Sequence, residues 1–277
     1  MHGAEVNMIK QIKTAALSLV LSTMLLTSYS SYARSIHTAW DTLLKNNVVS
    51  INRGHSTEVD YAAMGDDHKA LTRYLNSLSA ISEAEFNDWS KPKQLAFLIN
   101  AYNAWTVELI LTKYPDLESI KDLGSFFSSP WSKEFIPLLG KTRSLDEIEH
   151  ELIRGSGKYN DPRIHFAVNC ASIGCPALRE EAYTGEKLEA QLDEQTKRFL
   201  SDMTRNVVQQ NELQLSSIFK WYGDDFKMGF RGAKSLNEFI LQYPNAIKLI
   251  PAQQKALKID KMKIKFLDYD WKLNAAM

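Results

Sequence analysis

The longest apolar run in the chain lies between Gln94 and Tyr114. Leu95, Phe97, Leu98, Ile99, Ala101, Tyr102, Ala104, Trp105, Val107, Leu109, Ile110 and Leu111 cover nearly the whole circumference of a helix, and a helix apolar all round is a buried central one. Pro92, near the first turn, costs little there, and Pro115 closes the run. Shorter helical stripes precede it. Ile36 to Val49 turns Trp40, Leu43 and Leu44 inward, and His68 to Leu78 turns Leu71, Tyr74, Leu75 and Leu78 inward. Ser50 to Asp60, between them, is polar and reads as a loop. Capping boxes at Ser82–Glu85 and Ser144–Glu147 open two further helices, and Gly155 stops the second. Its inner stripe is Leu145, Ile148, Leu152 and Ile153, with Glu149 beside it. Thr184 opens another helix, with Leu188, Leu192, Phe199 and Leu200 inward. Short helices are also expected over Ser216 to Phe226 and Leu236 to Tyr243.

The period changes to two at Ile164, Phe166 and Val168, which alternate with His165, Ala167 and Asn169. That is a half-buried strand running out into a tight loop that Pro176 closes. Val207–Val208 and Leu213–Leu215 suggest a hairpin. Lys261 to Phe266 alternates with its lysines outward, as in a protected edge strand. The elements add up to an α+β fold: a helix-rich single domain with a buried central helix, about 94–114, around a small, mainly antiparallel sheet.

Composition adds constraints more than identity. The 277 residues are 44% hydrophobic and 24% charged with a formal net charge of zero, as in an ordinary globular chain. Without a basic stripe, no nucleic-acid partner is expected. Lys10 and Lys13, the apolar run Ala15 to Leu26 and the small-residue site Ser31-Tyr32-Ala33 form a secretory signal peptide over 1–33. The run falls short of the roughly 20 apolar residues that span a bilayer, so no transmembrane span remains once it is removed. Residues 34–277 then form one globular domain, periplasmic or extracellular, with a charge of 31 − 32 = −1.

Export bears on the two cysteines, Cys170 and Cys175, both in the segment that ends at Pro176. In an oxidising compartment such a pair often bonds, and the intervening loop closes if the Cα atoms come within about 7 Å. The spacing is not Cys-x-x-Cys, and no second pair completes a zinc site. With no glycine-rich phosphate loop either, no cofactor or metal is expected. A structural disulfide and a working thiol remain alternatives. A thiol of pKa about 8.5 is only slightly ionised at neutral pH and needs a histidine beside it. His150 is the first choice, because Asp146 lies four residues before it on the same helical face and Glu149 is adjacent. His165 is the other, although on a flat strand it faces away from Cys170. Asn100 and Asn103 share one face of the central helix. They either hold a neighbouring loop's backbone or serve the site by orienting the histidine or donating to an oxyanion. His37, His55 and His68 lie on polar stretches and read as solvent-facing. The aromatic stretch Phe126 to Phe135 covers something apolar.

Five segments in order resemble the family of the domain of unknown function 547. They are Phe97–Ala104; Ser144–His150 with Leu152–Arg154; Asp161–Ala167 with Cys170 and Gly174–Pro176; Ser216–Tyr222 with Asp225–Phe226; and Tyr269–Trp271 with Leu273–Asn274. The likeness spans about 59–274, most of the mature chain. It implies no reaction. It does imply a cysteine kept at Cys170 and a looser position at Cys175, which favours a separate role for Cys170. Glycine is common in the family where this chain has Ala171, implying a less constrained backbone here. Three functions follow. One is a thiol hydrolase or transferase with Cys170 as nucleophile; the second is an exported binding or scaffold domain stapled by Cys170–Cys175; the third is a thiol–disulfide redox protein. Nothing in the pattern names a substrate, ligand or oligomeric state.

Overall fold

The computed structural model describes residues 36–125 and 128–276. The expected signal peptide, and Phe126 and Phe127 of the aromatic stretch, lie outside the described residues. In chain order, α1 (Thr38–Asn47) leads into a hairpin of β1 (Val48–Ile51) and β2 (Ser56–Val59), followed by α2 (Tyr61–Asp66), α3 (His68–Ser79), α4 (Glu83–Asn87) and α5 (Lys91–Leu111). A second hairpin, β3 (Ile136–Leu138) and β4 (Lys141–Arg143), precedes a π-helix, Glu147–Arg154. Then come α6 (Leu188–Ser201), β5 (Val207–Gln209), β6 (Glu212–Leu215), α7 (Ile218–Trp221), α8 (Leu236–Ile240), α9 (Pro251–Lys258) and β7 (Lys263–Phe266). Among the described residues, no helix is long and apolar enough to cross a membrane.

The α+β class holds, but the strands form three small sheets rather than one. β1–β2 and β3–β4 are antiparallel pairs; β6 pairs antiparallel with β5 and parallel with β7. β7 is an edge, its Lys263 and Lys265 exposed. The expected loop 50–60 is instead the first hairpin. Val48 faces Val59 and Ile51 faces Ser56, because Ser56, Thr57 and Val59 are buried against the core despite the polar composition.

Helix α5 is central, buried on nearly every side. Its capping neighbours form as the pattern dictates: Glu85 N–H donates to Ser82 Oγ, and Ser144 and Glu147 exchange a reciprocal pair of bonds of 3.1 and 2.7 Å. Two hydrophobic clusters result. The larger surrounds α5. The smaller is aromatic, with Phe166, Phe199, Phe219, Phe226 and Phe239.

The cysteine segment bridges them and is not a strand. Pro162–Phe166 is a 3-10 helix, initiated by Asp161 accepting from Arg163 N–H, and residues 162–169 are buried without exception. The alternating pattern misleads because both sets of positions are inside, with Ile164, Ala167 and Val168 in the larger cluster and Phe166 in the smaller. A buried irregular backbone must find partners for its N–H and C=O groups. Here amide side chains supply them. Asn103 donates to Ala167 C=O at 2.9 Å and accepts from Asn169 N–H at 2.8 Å. Asn100 does the same for both backbone groups of Tyr183, at 2.8 and 3.0 Å. From the other side, Gln195 of α6 donates to Ala177 C=O, and Gln191 donates to Ala182 C=O while accepting from Thr184 N–H. Of the two readings of Asn100 and Asn103, backbone holding is the one their geometry displays.

His37 is not solvent-facing. It is 6% exposed, bonded through Nδ1 to Tyr74 Oη at 2.8 Å. Amphipathic helix α1 rolls it inward next to Trp40. His68 is on the surface, paired with Glu108, and His55 is half-buried.

Candidate functional site

A cavity of about 210 Å³ opens between the π-helix, the cysteine segment, α7 and the C-terminal stretch. Asp146, Glu149, His150, His165, Cys170 and Cys175 all line it; Asn100 and Asn103 do not. Its remaining walls are largely aromatic: Tyr102, Trp131, Trp221, Tyr222, Tyr269 and Trp271.

The π-helix builds one wall. Its last turn closes with Gly155 N–H on His150 C=O at 2.8 Å, an i to i+5 bond, and Ile148 and Ile153 anchor it to the core. Glu149 is only 6% exposed and sits against the phenols of Tyr102 and Tyr222. Burial and this carboxylate together push both phenols up, so each stays protonated. Burial also raises the carboxyl of Asp146, against the pull of His150. Among the described residues, no lysine or arginine lines the cavity.

His165, in the cavity lining, is backed by Asp225 and Arg154. His165 donates through Nε2 to Asp225 Oδ2 at 2.7 Å, and Arg154 holds the same carboxylate through Nε at 2.7 Å and Nη2 at 3.1 Å. Burial works against ionised Asp225, but the bonds from His165 and Arg154 prevail and hold it well below the carboxylate range. Burial lowers the His165 pKa, with Asp225 opposing. Tyr222 stacks on His165 with ring centroids 3.9 Å apart.

These bonds fix the histidine tautomers. Guanidinium only donates, so His150 Nδ1 accepts from Arg154 Nη1 at 2.8 Å, and Nε2, 3.7 Å from Asp146 Oδ1, carries the proton. The lone pair a base would use is therefore occupied. His165 is the reverse: carboxylate only accepts, so Nε2 carries the proton, and its buried Nδ1 has no partner among the described residues. Of the two expected histidines, His150 thus has its Nδ1 occupied and His165 its Nε2.

Cys170 and Cys175 form a disulfide, and neither sulfur is free. Cys175 is 4% exposed while Cys170 is half-buried. The loop between them turns at Ala171, whose φ of +58° is the left-handed conformation that glycine tolerates best. The backbone is thus more constrained than its alanine implies. Asn169 Oδ1 accepts from Ala171 N–H at 2.9 Å and holds the turn. The C-terminal stretch clamps the loop: Ile173 N–H donates to Lys272 C=O, Gly174 N–H to Asp270 C=O, and Asn274 N–H to Ala171 C=O. Tyr269 lies directly on Gly174. A Cβ at Gly174 would come within 2.9 Å of three Tyr269 ring carbons. Gly174→Ala is therefore expected to displace the ring at a cost of about 1–3 kcal/mol, visible as a lower unfolding midpoint and altered aromatic fluorescence. An unchanged midpoint would show that Tyr269 is not held against the loop.

Tyr222, Asp225, Tyr269 and Trp271 escape a reading based on cysteine and histidine spacing because they lie 52–101 residues from Cys170 in the chain. The segments Ser216–Tyr222, Asp225–Phe226 and Tyr269–Trp271, singled out only by family likeness, contain all four. Among the described residues, no group of three or more histidine, cysteine or acidic side chains is arranged to hold a metal ion.

Residues 86–200 match the family model described as a protein of unknown function, DUF547. No curated protein and no solved structure matches the chain.

Proposed function

We propose that this chain, a member of the DUF547 family, is an exported binding domain whose cavity takes a small ligand bearing a positively charged group. One observation carries the reading: Glu149 is a buried carboxyl group that meets the Tyr102 and Tyr222 hydroxyls but has no ion-pair partner among the described residues, in a cavity walled by aromatic rings and lined by no described lysine or arginine. A buried carboxylate is costly unless a cation or hydrogen bonds offset it, and aromatic faces attract cations. Trp221, 47% exposed at the mouth and stacked on Trp271, adds a surface for the ligand's apolar part. The volume is below the roughly 300–1,000 Å³ of drug-sized sites, so the occupant is a small molecule or one side chain of a larger one. The disulfide and the signal-like start of the chain support export.

The test is a titration of the oxidised protein with small amines, from butylamine to spermidine, each against its N-acetylated form, followed by tryptophan fluorescence. Saturable binding of the amine alone is expected. A hydrogen-bonded charge is worth about 1.5–3 kcal/mol, so Glu149→Gln should weaken binding by roughly ten- to a hundredfold. Cys170→Ser should leave it unchanged once stability is corrected. Equal binding of amine and acetamide, or none of either, would refute the reading.

A second reading rests on the Asp225–His165 pair. In the reduced protein, Cys170 would share its cavity with a histidine whose Nδ1 is free to accept a proton, the arrangement a cysteine hydrolase or transferase uses. It requires that Cys170 alkylate after mild reduction with an apparent pKa well below about 8.5, an effect lost in His165→Ala.

A further inference from the structure

We infer that the Cys170–Cys175 disulfide is a directional thiol–disulfide exchange site, attacked at Cys170 and releasing Cys175 as a thiolate held by the Tyr269 hydroxyl. The inference does not depend on what the cavity binds. Three observations carry it. First, access differs: the disulfide forms part of a cavity wall, and of its two cysteines Cys170 is half-buried whereas Cys175 is 4% exposed. An incoming thiolate reaches the accessible sulfur.

Second, the backbone aims a donor at the other sulfur, and a hydroxyl lies within reach of it. Cys170 N–H donates to Cys175 Sγ at 2.8 Å, and Tyr269 Oη–H donates to the same atom at 3.2 Å. Ser172 Oγ–H donates in turn to Tyr269 Oη at 3.2 Å. Tyr269 Oη also lies 3.1 Å and Ser172 Oγ 3.2 Å from Cys170 Sγ, so the hydroxyls stand beside both sulfurs, and the Cys170 N–H is the donor that singles out Cys175. Donors aimed at a sulfur stabilise the thiolate more than the disulfide, because the charge appears only when the bond breaks, and a stabilised leaving thiolate leaves faster. Burial keeps the Tyr269 proton in place as a donor.

Third, the loop keeps its place without the covalent bond. Residues 171–174 are tied to the C-terminal stretch by the backbone bonds from Ile173, Gly174 and Asn274, so the reduced cysteines stay facing each other and can close again.

The exchange balances with a small thiol as co-reactant. The thiolate R–S⁻ attacks Cys170 Sγ; the R–S–Sγ170 bond forms, the Sγ170–Sγ175 bond breaks, and the electron pair leaves on Cys175. A second thiolate attacks the R sulfur, releasing R–S–S–R and the Cys170 thiolate. Two thiols are oxidised and the protein disulfide is reduced by two electrons. In the reverse direction, Cys175 thiolate resolves the mixed disulfide and expels R–S⁻.

The probe is glutathione, applied to the folded oxidised protein, with tryptic mass mapping of quenched samples. The expected result is reduction without unfolding, with the glutathionyl group of the mixed disulfide mapped to Cys170 rather than Cys175 in wild-type samples acid-quenched during the reaction. In Tyr269→Phe, which keeps the ring over Gly174, reduction should slow by roughly tenfold, and the Cys175 thiol of the reduced protein should titrate at higher pH. Ser172→Ala should shift both in the same direction by less. A bond that glutathione opens only when urea unfolds the protein would overturn the inference. So would wild-type exchange and titration in a folded Tyr269→Phe.

Discussion

Asn103→Ala is expected to destabilise the protein by about 2–6 kcal/mol, a large part of the roughly 5–15 kcal/mol that holds a domain folded. The magnitude follows from counting orphaned groups. The Asn103 amide is the partner of Ala167 C=O and of Asn169 N–H, and each buried group left unsatisfied costs about 1–3 kcal/mol. Neither has a strand alongside to replace the lost partner, since the segment is irregular and buried throughout. Thr106 makes the control. It is as buried as Asn103 and on the same helix, but its hydroxyl only bonds back to Tyr102 C=O, so Thr106→Ala should cost under about 1.5 kcal/mol. Urea unfolding of both variants at neutral pH makes the comparison. A loss below about 1 kcal/mol for Asn103→Ala would mean that water or a shifted loop takes over both bonds. Because Asn169 adjoins Cys170 and its own side chain holds the Ala171 turn, the same substitution should also speed reduction of the disulfide.

That dependence explains what could be read from the sequence and what could not. Helix α5 was legible because its signal is local: apolar residues on every face mean burial whatever lies around them. The capping boxes at Ser82 and Ser144 were legible for the same reason. The cysteine segment was not, because alternating apolar residues signify a strand only if one face is polar in its surroundings. Here His165 and Asn169 are buried as deeply as Ile164 and Phe166, with His165 Nε2 bonded to the distant Asp225 and the Asn169 amide to Pro176 C=O within the same segment. The first hairpin was missed because Ser56 and Thr57 look solvent-bound, yet Thr57 Oγ1 bonds to Leu178 C=O inside the protein. At the cavity, helical spacing places Asp146, Glu149 and His150 near one another, and chain proximity adds the cysteines. What no spacing rule conveys is the rest of the site, where Tyr222 and Tyr269 arrive from other elements to line the cavity and Asp225, outside its lining, decides which nitrogen of His165 is free.

His37 makes the second large effect, one of pH. Its imidazole is enclosed by Tyr74 and Phe97, and burial, helped by the nearby Lys93 ammonium, brings its pKa down to about 3 from an ordinary 6.5. In the unfolded chain the ring protonates below about pH 6.5, while in the folded protein it stays neutral. Between those limits the unfolded state binds one proton more, so stability rises with pH by up to about 1.4 kcal/mol per unit. The stabilisation is complete above pH 6.5, is lost progressively as pH falls, and levels off below about 3. Over the whole range this is on the order of 4–5 kcal/mol. His165, also lowered chiefly by burial, acts with the same sign. Asp225 has its carboxyl held low, so it adds stability above about pH 4 that disappears only under stronger acid. His37→Gln isolates the first contribution, because glutamine can accept from Tyr74 but does not titrate. Unfolding free energies of wild type and variant at about pH 7.5, 5.5 and 4 should converge, or cross in the variant's favour, as pH falls. A difference that stays constant with pH would mean that His37 takes up its proton in the folded protein, opening the α1–α3 contact to water without unfolding the rest.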